Sequence, residues 1–581
     1  MSDLPNWEAR FRAPVLSFPA WSPDAPDRLA IASTENGSYQ LYAWDRAAGR
    51  RRRVTDDPVG VLGGRPTRDG TGIVWFLDAT GAESGHWVVA PFDEPAAPAP
   101  LLDGVPEGWD EGLAIGRRRI VAAVSTAERF SIWAAEDGQA ARCLHAHAEM
   151  LGLGVDDHAA LSADESMVVF EHAEDGDIHH MALRAIDAQT GATVADLRWA
   201  GIGISSHGFS PVAGDPRVAI SHERDGDRRP AIWDVCTGAV TDLPAALTGD
   251  VEVAGWWPDA SAVLLRQLVD GRHQLHRHDL GAGTTTRLDS EPGSITAAAV
   301  RPDGEVWYRG HNGEHPARLR AVGADAPLLE PDGPRAPAGR DFETWAFANP
   351  HGQQVHGFLV RPAGDGPFPV IMRVHGGPHM LDMDRWVPDI QAHVDAGFLV
   401  AMVNYRGSEG YGQAWRDALI GNVGFLELED VLAGLDDLVA RGLGDPARAV
   451  LAGWSWGGYV TLLGAGRHPD RWASLVAGVP STVPDLFRER NPITYVDAVR
   501  APLLILAGEN DSRCPIRQVW NYVGRMRARG LEPQVYTYST GHASFDTDEK
   551  LRQAAIVLEF LARTVPGVTR LEGIDRHLAG G

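Results

Sequence analysis

One turn-and-strand phrase recurs through the first 325 residues, and it decides what this chain can fold into. It opens at Trp21-Ser22-Pro23-Asp24, runs into the apolar stretch Leu29-Ala30-Ile31-Ala32, turns at Glu35-Asn36-Gly37-Ser38 and returns through Gln40-Leu41-Tyr42-Ala43-Trp44. Echoes of the opening lie at Arg65-Pro66-Thr67-Arg68-Asp69-Gly70, Leu161-Ser162-Ala163-Asp164, Phe209-Ser210-Pro211, Trp256-Trp257-Pro258-Asp259 and Val300-Arg301-Pro302-Asp303-Gly304, with a weaker unit near Asp110. Starts near 21, 65, 110, 161, 209, 256 and 300 stand 44 to 51 residues apart. A period of ~40–50 residues with four short strands per unit is the signature of propeller blades. A single blade cannot bury both faces, so neighbours must stack around a central channel. Seven starts predict a seven-bladed β-propeller over 15–330, preceded by an N-terminal extension, 1–14. The 19 tryptophans are then mainly packing between blades.

The Pro- and Gly-rich stretch from Pro331 to Gly339 marks a linker, 331–340, and beyond it the pattern changes to strand–helix alternation. Strands are predicted at Thr344–Ala348, Val355–Val360, Phe368–Val374, Phe398–Asn404, Ala449–Ala452, Ser474–Val479, Leu503–Ala507 and Gln534–Tyr538, with helices over about 426–441 and 549–563. Such alternation argues for a mostly parallel sheet, here an α/β-hydrolase domain over 341–581.

Charge and composition exclude much else. Fifty-three basic against 78 acidic residues leave a net charge of −25, unsuited to nucleic acid. No run of eighteen apolar residues exists to span a membrane. The first residues lack a basic and then apolar leader pattern, which leads us to expect a cytoplasmic protein. Lys550 is the only lysine, so a phosphate-binding GxxxxGK[ST] loop and a Schiff-base lysine elsewhere are ruled out. Cys143, Cys236 and Cys514 are far apart and form no CxxC; reduced, mostly buried thiols are expected. No HExxH and no EF-hand loop is present, so neither a metal nor another cofactor is expected.

The chemistry concentrates after the strand at 449–452, in Gly453-Trp454-Ser455-Trp456-Gly457-Gly458. This is GxSxG between an apolar strand and a helix, a turn so sharp that glycines must flank the serine. A serine hydroxyl is a poor nucleophile until a base removes its proton. His542, in Ser539-Thr540-Gly541-His542 after the last strand, is the candidate base, and Asp511, after the strand 503–507, is the candidate carboxylate that orients it. Asp430, Asp445 and Asp546 are rivals in the wrong places and are read as helix, turn and surface groups. Two backbone N–H groups must receive the oxyanion. Trp456 offers one, and Gly377 of His375-Gly376-Gly377-Pro378 the other. As a base His542 must be neutral, which predicts a rate that falls as pH drops through about 6.5.

A propeller followed by HGGP, NYRGSEGYG, GWSWGGY, GENDSR and GH resembles the prolyl oligopeptidase family of serine peptidases, most of all its acylaminoacyl-peptidase and oligopeptide-hydrolase branch. The resemblance covers nearly the whole chain and is specific in the C-terminal third. It implies Ser455, Asp511 and His542 as a triad, Gly377 and Trp456 as oxyanion donors, and Arg513 as the group that holds a substrate carbonyl. Some relatives place a tyrosine hydroxyl in the oxyanion hole, which would fall on Tyr411. The specificity pocket would fall near 480–495 and 513–520, with Phe487 and Trp520 as candidates. Two departures stand out: Trp456 replaces the usual tyrosine, and Cys514 replaces the valine of the family's Arg-Val-Pro, leaving a thiol near the site. The implied activity is hydrolysis of short peptides through an acyl-enzyme, with the propeller excluding larger chains. An esterase, amidase or acyl-transfer enzyme on a small non-peptide substrate is the alternative, and a catalytically dead propeller scaffold a third. Homo-oligomerisation and the physiological substrate are not legible.

Overall fold

The computed structural model describes residues 4–136, 138–154, 157–244, 246–480 and 485–578, without the side chains of residues 157 and 485–487. From Ala20 to Ala321 the strands pair antiparallel with their neighbours in sequence. They build four-stranded sheets over 20–53, 151–197, 204–242 and 250–287, an eight-stranded sheet over 65–147 and a three-stranded sheet over 294–321. The eight-stranded sheet is joined in its middle by only two residue pairs, Ser84 with Trp109 and Gly85 with Gly108. Pro-Asp and Asp-Gly turns make these hairpins because their residues tolerate tight backbone geometry.

Packing between the first and last sheets closes the circle. Trp307 stacks on Trp44 with centroids 6.3 Å apart, among Leu29, Ile31, Tyr42 and Leu319. The guanidinium of Arg301, 1% exposed, sits 4.2 Å from the Trp307 ring and 5.3 Å from Trp21. It also donates to the Pro26 carbonyl at 3.0 Å. Several of the tryptophans thus act as mortar between sheets, as the repeat predicts.

The C-terminal domain contains a sheet of eight strands: β1 (Glu343–Ala348), β2 (Gln354–Val360), β3 (Phe368–Val374), β4 (Leu399–Asn404), β5 (Gly444–Trp454), β6 (Ser474–Gly478), β7 (Leu503–Gly508) and β8 (Gln534–Tyr538). Their order is 1-2-4-3-5-6-7-8, antiparallel through β1, β2 and β4 and parallel from there. Both faces of the central strands are covered, which is why they read as continuous apolar runs. One face packs against α3 (Phe425–Ala440), α4 (Trp456–Arg467) and α5 (Ile516–Arg527). The other packs against α2 (Pro388–Asp395) and α6 (Thr547–Thr564), joined by α1 (Asn6–Arg12) from the far N-terminus. Trp7 of α1 is 2% exposed and its indole donates to the Glu572 carbonyl at 2.8 Å. Residues 6–12 thus pack against the hydrolase core. Among the described residues no helix is long and apolar enough to cross a membrane.

A cavity of about 1660 Å³ lies between the ring and the hydrolase domain. Its wall includes Glu83, Glu111, Glu252, Arg266 and Phe76 of the ring, and Arg513, His542 and Phe545 of the hydrolase.

Candidate active site

The parallel strands bring the candidate residues to one edge of the sheet. Trp454 pairs with Gly478, Gly478 with Leu506, and Gly508 with Tyr538. Ser455, Asp511 and His542 each follow the C-terminal end of a strand in that register. This is the edge where open α/β sheets place their ligands.

Ser455 holds φ 56° and ψ −118° between β5 and α4, a conformation that a non-glycine residue rarely adopts. Surrounding contacts enforce it. Its N–H donates to the Gly478 carbonyl at 2.9 Å, and its carbonyl receives the first helical bond from Tyr459 N at 3.0 Å. A Cβ on Gly457 would lie 2.0 Å from the Val374 carbonyl oxygen, and one on Gly453 2.4 Å from the Gly457 backbone. The glycines of GxSxG are therefore spacers for backbone passing backbone. The HGGP loop flanks the serine: a Cβ on Gly376 would come 3.4 Å from Ser455 Cβ and 4.0 Å from its Oγ. Gly377 has φ +121°, open to glycine but not to a side chain. Trp456 is the first residue of α4, so its N–H has no acceptor within the helix.

His542 Nδ1 lies 2.8 Å from Asp511 Oδ2. Asp511 is buried, and its other oxygen accepts the N–H groups of Arg513 at 2.9 Å and Cys514 at 2.8 Å. Burial would raise this carboxyl, but the His542 and backbone hydrogen bonds hold it below its ordinary value. Burial likewise opposes charging of His542, yet its hydrogen bonds to Asp511 and then Cys514 lift the imidazole to about 9. The sequence-based expectation of 6.5 takes no account of these two neighbours. His542 faces the cavity. Among the described contacts, Ser455 Oγ makes no hydrogen bond to His542.

The remaining candidates divide. Arg513 lines the cavity, but its Nε is paired with Glu83 Oε2 of the ring at 2.5 Å. Tyr411 has partners of its own. Its hydroxyl accepts from Asn404 Nδ2 at 2.8 Å, and its ring stacks on His356 at 5.2 Å. Trp520 is 43% exposed and absent from the cavity wall, because α5 turns Val519, Tyr522, Val523 and Met526 inward instead. The side chain of Phe487 lies outside the described residues. Asp430 is a buried partner of Arg406, with the Arg406 N–H at 2.8 Å. Asp445 pairs with Arg448, and Asp546 caps α6. Of the three cysteines, Cys514 alone is buried; Cys143 is half-buried and Cys236 exposed, against the expectation of mostly buried thiols.

Sequence reasoning missed the residues that brace the His375-Gly376-Gly377-Pro378 loop. The His375 ring stacks on Tyr405 at 4.2 Å, its Nε2 lies 2.8 Å from Ser408 Oγ, and Tyr405 Oη donates to the His375 carbonyl at 3.1 Å. Both partners stand in the motif NYRGSEGYG, which was the available signal. Glu427, fully buried, accepts the Trp456 indole N–H at 3.0 Å and the Gly424 N–H at 2.9 Å. Burial pushes its carboxyl up to about 7.

Residues 386–485 and 481–567 match the profile of the prolyl oligopeptidase family. Over that stretch, about a third of its length, this chain is similar to the prolyl oligopeptidase family. Among relatives, the "Uncharacterized peptidase YuxL" of Bacillus subtilis (strain 168) is 30% identical over 246 residues, 37% of each chain. Acylamino-acid-releasing enzyme 2 of Oryza sativa subsp. japonica is 29% identical over 205 residues, 29% of this chain and 27% of that enzyme. The match thus spans little more than a third of one relative and about a quarter of the other. The likeness in fold extends further than the likeness in sequence. The crystal structure of puromycin hydrolase superposes with a TM-score of 0.79 over 98% of both chains at 19% identity. Ring and hydrolase together are therefore the two-domain architecture, propeller plus α/β hydrolase, of prolyl oligopeptidase-type enzymes.

Proposed function

We propose that this chain is a serine peptidase of short peptides, of aminopeptidase, acylaminoacyl-peptidase or oligopeptidase type. Ser455 attacks the carbonyl. His542 takes the hydroxyl proton and returns it to the leaving amine, and Asp511 holds the imidazole in the tautomer that leaves Nε2 free. The backbone N–H groups of Gly377 and Trp456 receive the oxyanion. Water then repeats the sequence on the acyl-enzyme. The observation that carries this reading is the His542–Asp511 hydrogen bond at the cavity wall, at the same sheet edge as the strained Ser455. The names of the peptidase relatives support it.

Counted as two blades joined at 84–85 and 108–109, the eight-stranded sheet gives a propeller of seven blades, which we assign to 15–330, with linker 331–340 and hydrolase 341–581. In this reading the propeller covers the site and admits only chains narrow enough to enter, while dry walls strengthen the electrostatics inside. Arg513 is assigned to a substrate carbonyl. Turnover of short peptide anilides, with and without an N-acetyl group, beside matched p-nitrophenyl esters tests the activity. Cleavage of the anilides supports a peptidase; ester turnover with no amide turnover replaces it with an esterase or acyl-transfer enzyme.

A further inference from the structure

A thiol stands in the same knot of side chains as the His542–Asp511 pair. One carboxylate oxygen of Asp511, Sγ of Cys514 and one ring nitrogen of His542 all lie within 4.8 Å of one another. The arrangement is built rather than incidental. Asp511 Oδ1 accepts the N–H groups of both Arg513 and Cys514, which curls the chain so that residue 514 returns to the imidazole.

One thiolate, one imidazole and one carboxylate are the donors that zinc and its soft neighbours select, whereas magnesium and calcium select oxygen alone. Tetrahedral zinc, with bonds of ~2.0–2.3 Å, holds its ligand atoms roughly 3.3–3.8 Å apart. To meet that spacing the His542 Nδ1–Asp511 Oδ2 pair, 2.8 Å apart, needs to open by about half an ångström and the thiol to close by no more than about an ångström. His542 borders the cavity, so a water can reach a fourth position.

We propose that Asp511, Cys514 and His542 form a reversible binding site for a thiophilic divalent cation of the zinc class. The thiol loses its proton to solvent and coordinates as thiolate, the imidazole binds as the neutral ring through one nitrogen, and Asp511 binds as carboxylate. No electron is transferred. A metal there holds the imidazole away from proton transfer, so hydrolysis stops; this consequence rests on His542 acting as base, whereas binding does not.

Two measurements test the site separately. Cobalt(II) titrated into the full-length Ser455→Ala protein should develop a thiolate-to-metal charge-transfer absorption in the near ultraviolet, and added EDTA should abolish it. In parallel, zinc should inhibit the unsubstituted enzyme reversibly. For Cys514→Val and Cys514→Ser the zinc concentration for half inhibition, each variant referred to its own metal-free rate, should rise by about tenfold or more, since a ligand worth ~1.4 kcal/mol changes affinity tenfold. Cobalt binding without a thiolate band, or equal zinc inhibition of the Cys514 variants, overturns the proposal. A thiolate band that vanishes in both variants, with no inhibition by zinc, keeps the site and refutes His542 as the base.

Discussion

Arg513 offers a decision by magnitude. The only described partner of its side chain is Glu83 of the propeller, and the two side chains are 63% and 39% exposed. An ion pair that open to solvent contributes ~0–1 kcal/mol. If Arg513 is merely a strut between domains, Arg513→Met therefore changes turnover by no more than about fivefold. If it leaves Glu83 to hold a substrate carbonyl, the substitution removes a charge-assisted hydrogen bond worth ~1.5–3 kcal/mol. That corresponds to a fall of roughly 10- to 150-fold in kcat/KM. The assay compares a tetrapeptide anilide, long enough to reach residue 513, with p-nitrophenyl acetate, which cannot. The proposed role requires the large fall for the peptide and almost none for the ester. Glu83→Gln removes the competing carboxylate and should leave the peptide KM equal or lower. A change in Arg513→Met under fivefold for the peptide, or an equal fall for both substrates, refutes the assignment.

Gly457→Ala places a methyl group 2.0 Å from the Val374 carbonyl, and the forced shift should cost ~1–3 kcal/mol or more together with nearly all activity; thermal unfolding and active-site labelling measure both. Gly524→Ala in α5 meets nothing within 4 Å and should stabilise by ~0.5–1 kcal/mol; an equal loss in the two variants contradicts the spacing argument. With His542 raised to about 9, the base is neutral only above that value, so kcat/KM should climb about tenfold per pH unit from neutrality and level off near pH 9. The same pairing stabilises the folded state fully below the unfolded imidazole pKa of ~6.5 and is lost as pH rises through about 9. A profile already flat above pH 7 contradicts it. Trp456→Phe removes one hydrogen bond from buried Glu427 and should cost ~1–3 kcal/mol of stability while sparing the backbone donor; a loss in kcat above about 100-fold at full folding would show that the indole itself takes part.

Local signals carried much of this structure. Phe368–Val374 and Gln534–Tyr538 were readable to the residue, because a buried parallel strand is an apolar run with turn residues at each end. The elbow at Ser455 was equally plain, since its glycines answer clashes within a few positions. What escaped is long-range. No pattern near Trp7 announces that α1 completes a core formed by residues from 342 onward. Glu83 meets Arg513 across 430 positions, and Cys514 meets His542 only once β8 has been laid beside β7. Nor does position along the chain announce that the Tyr411 hydroxyl bonds to Asn404 or that α5 leaves Trp520 exposed.

The central claim is that Ser455 is a hydroxyl activated through His542. Mass spectrometry of the peptide containing residue 455 after treatment with a fluorophosphonate measures it directly. The account predicts one phosphonyl adduct on Ser455, absent in Ser455→Ala and formed at least ~10²-fold more slowly in His542→Ala, since general-base assistance supplies ~10²–10⁴. An adduct on another residue, or an unchanged labelling rate in His542→Ala, contradicts it.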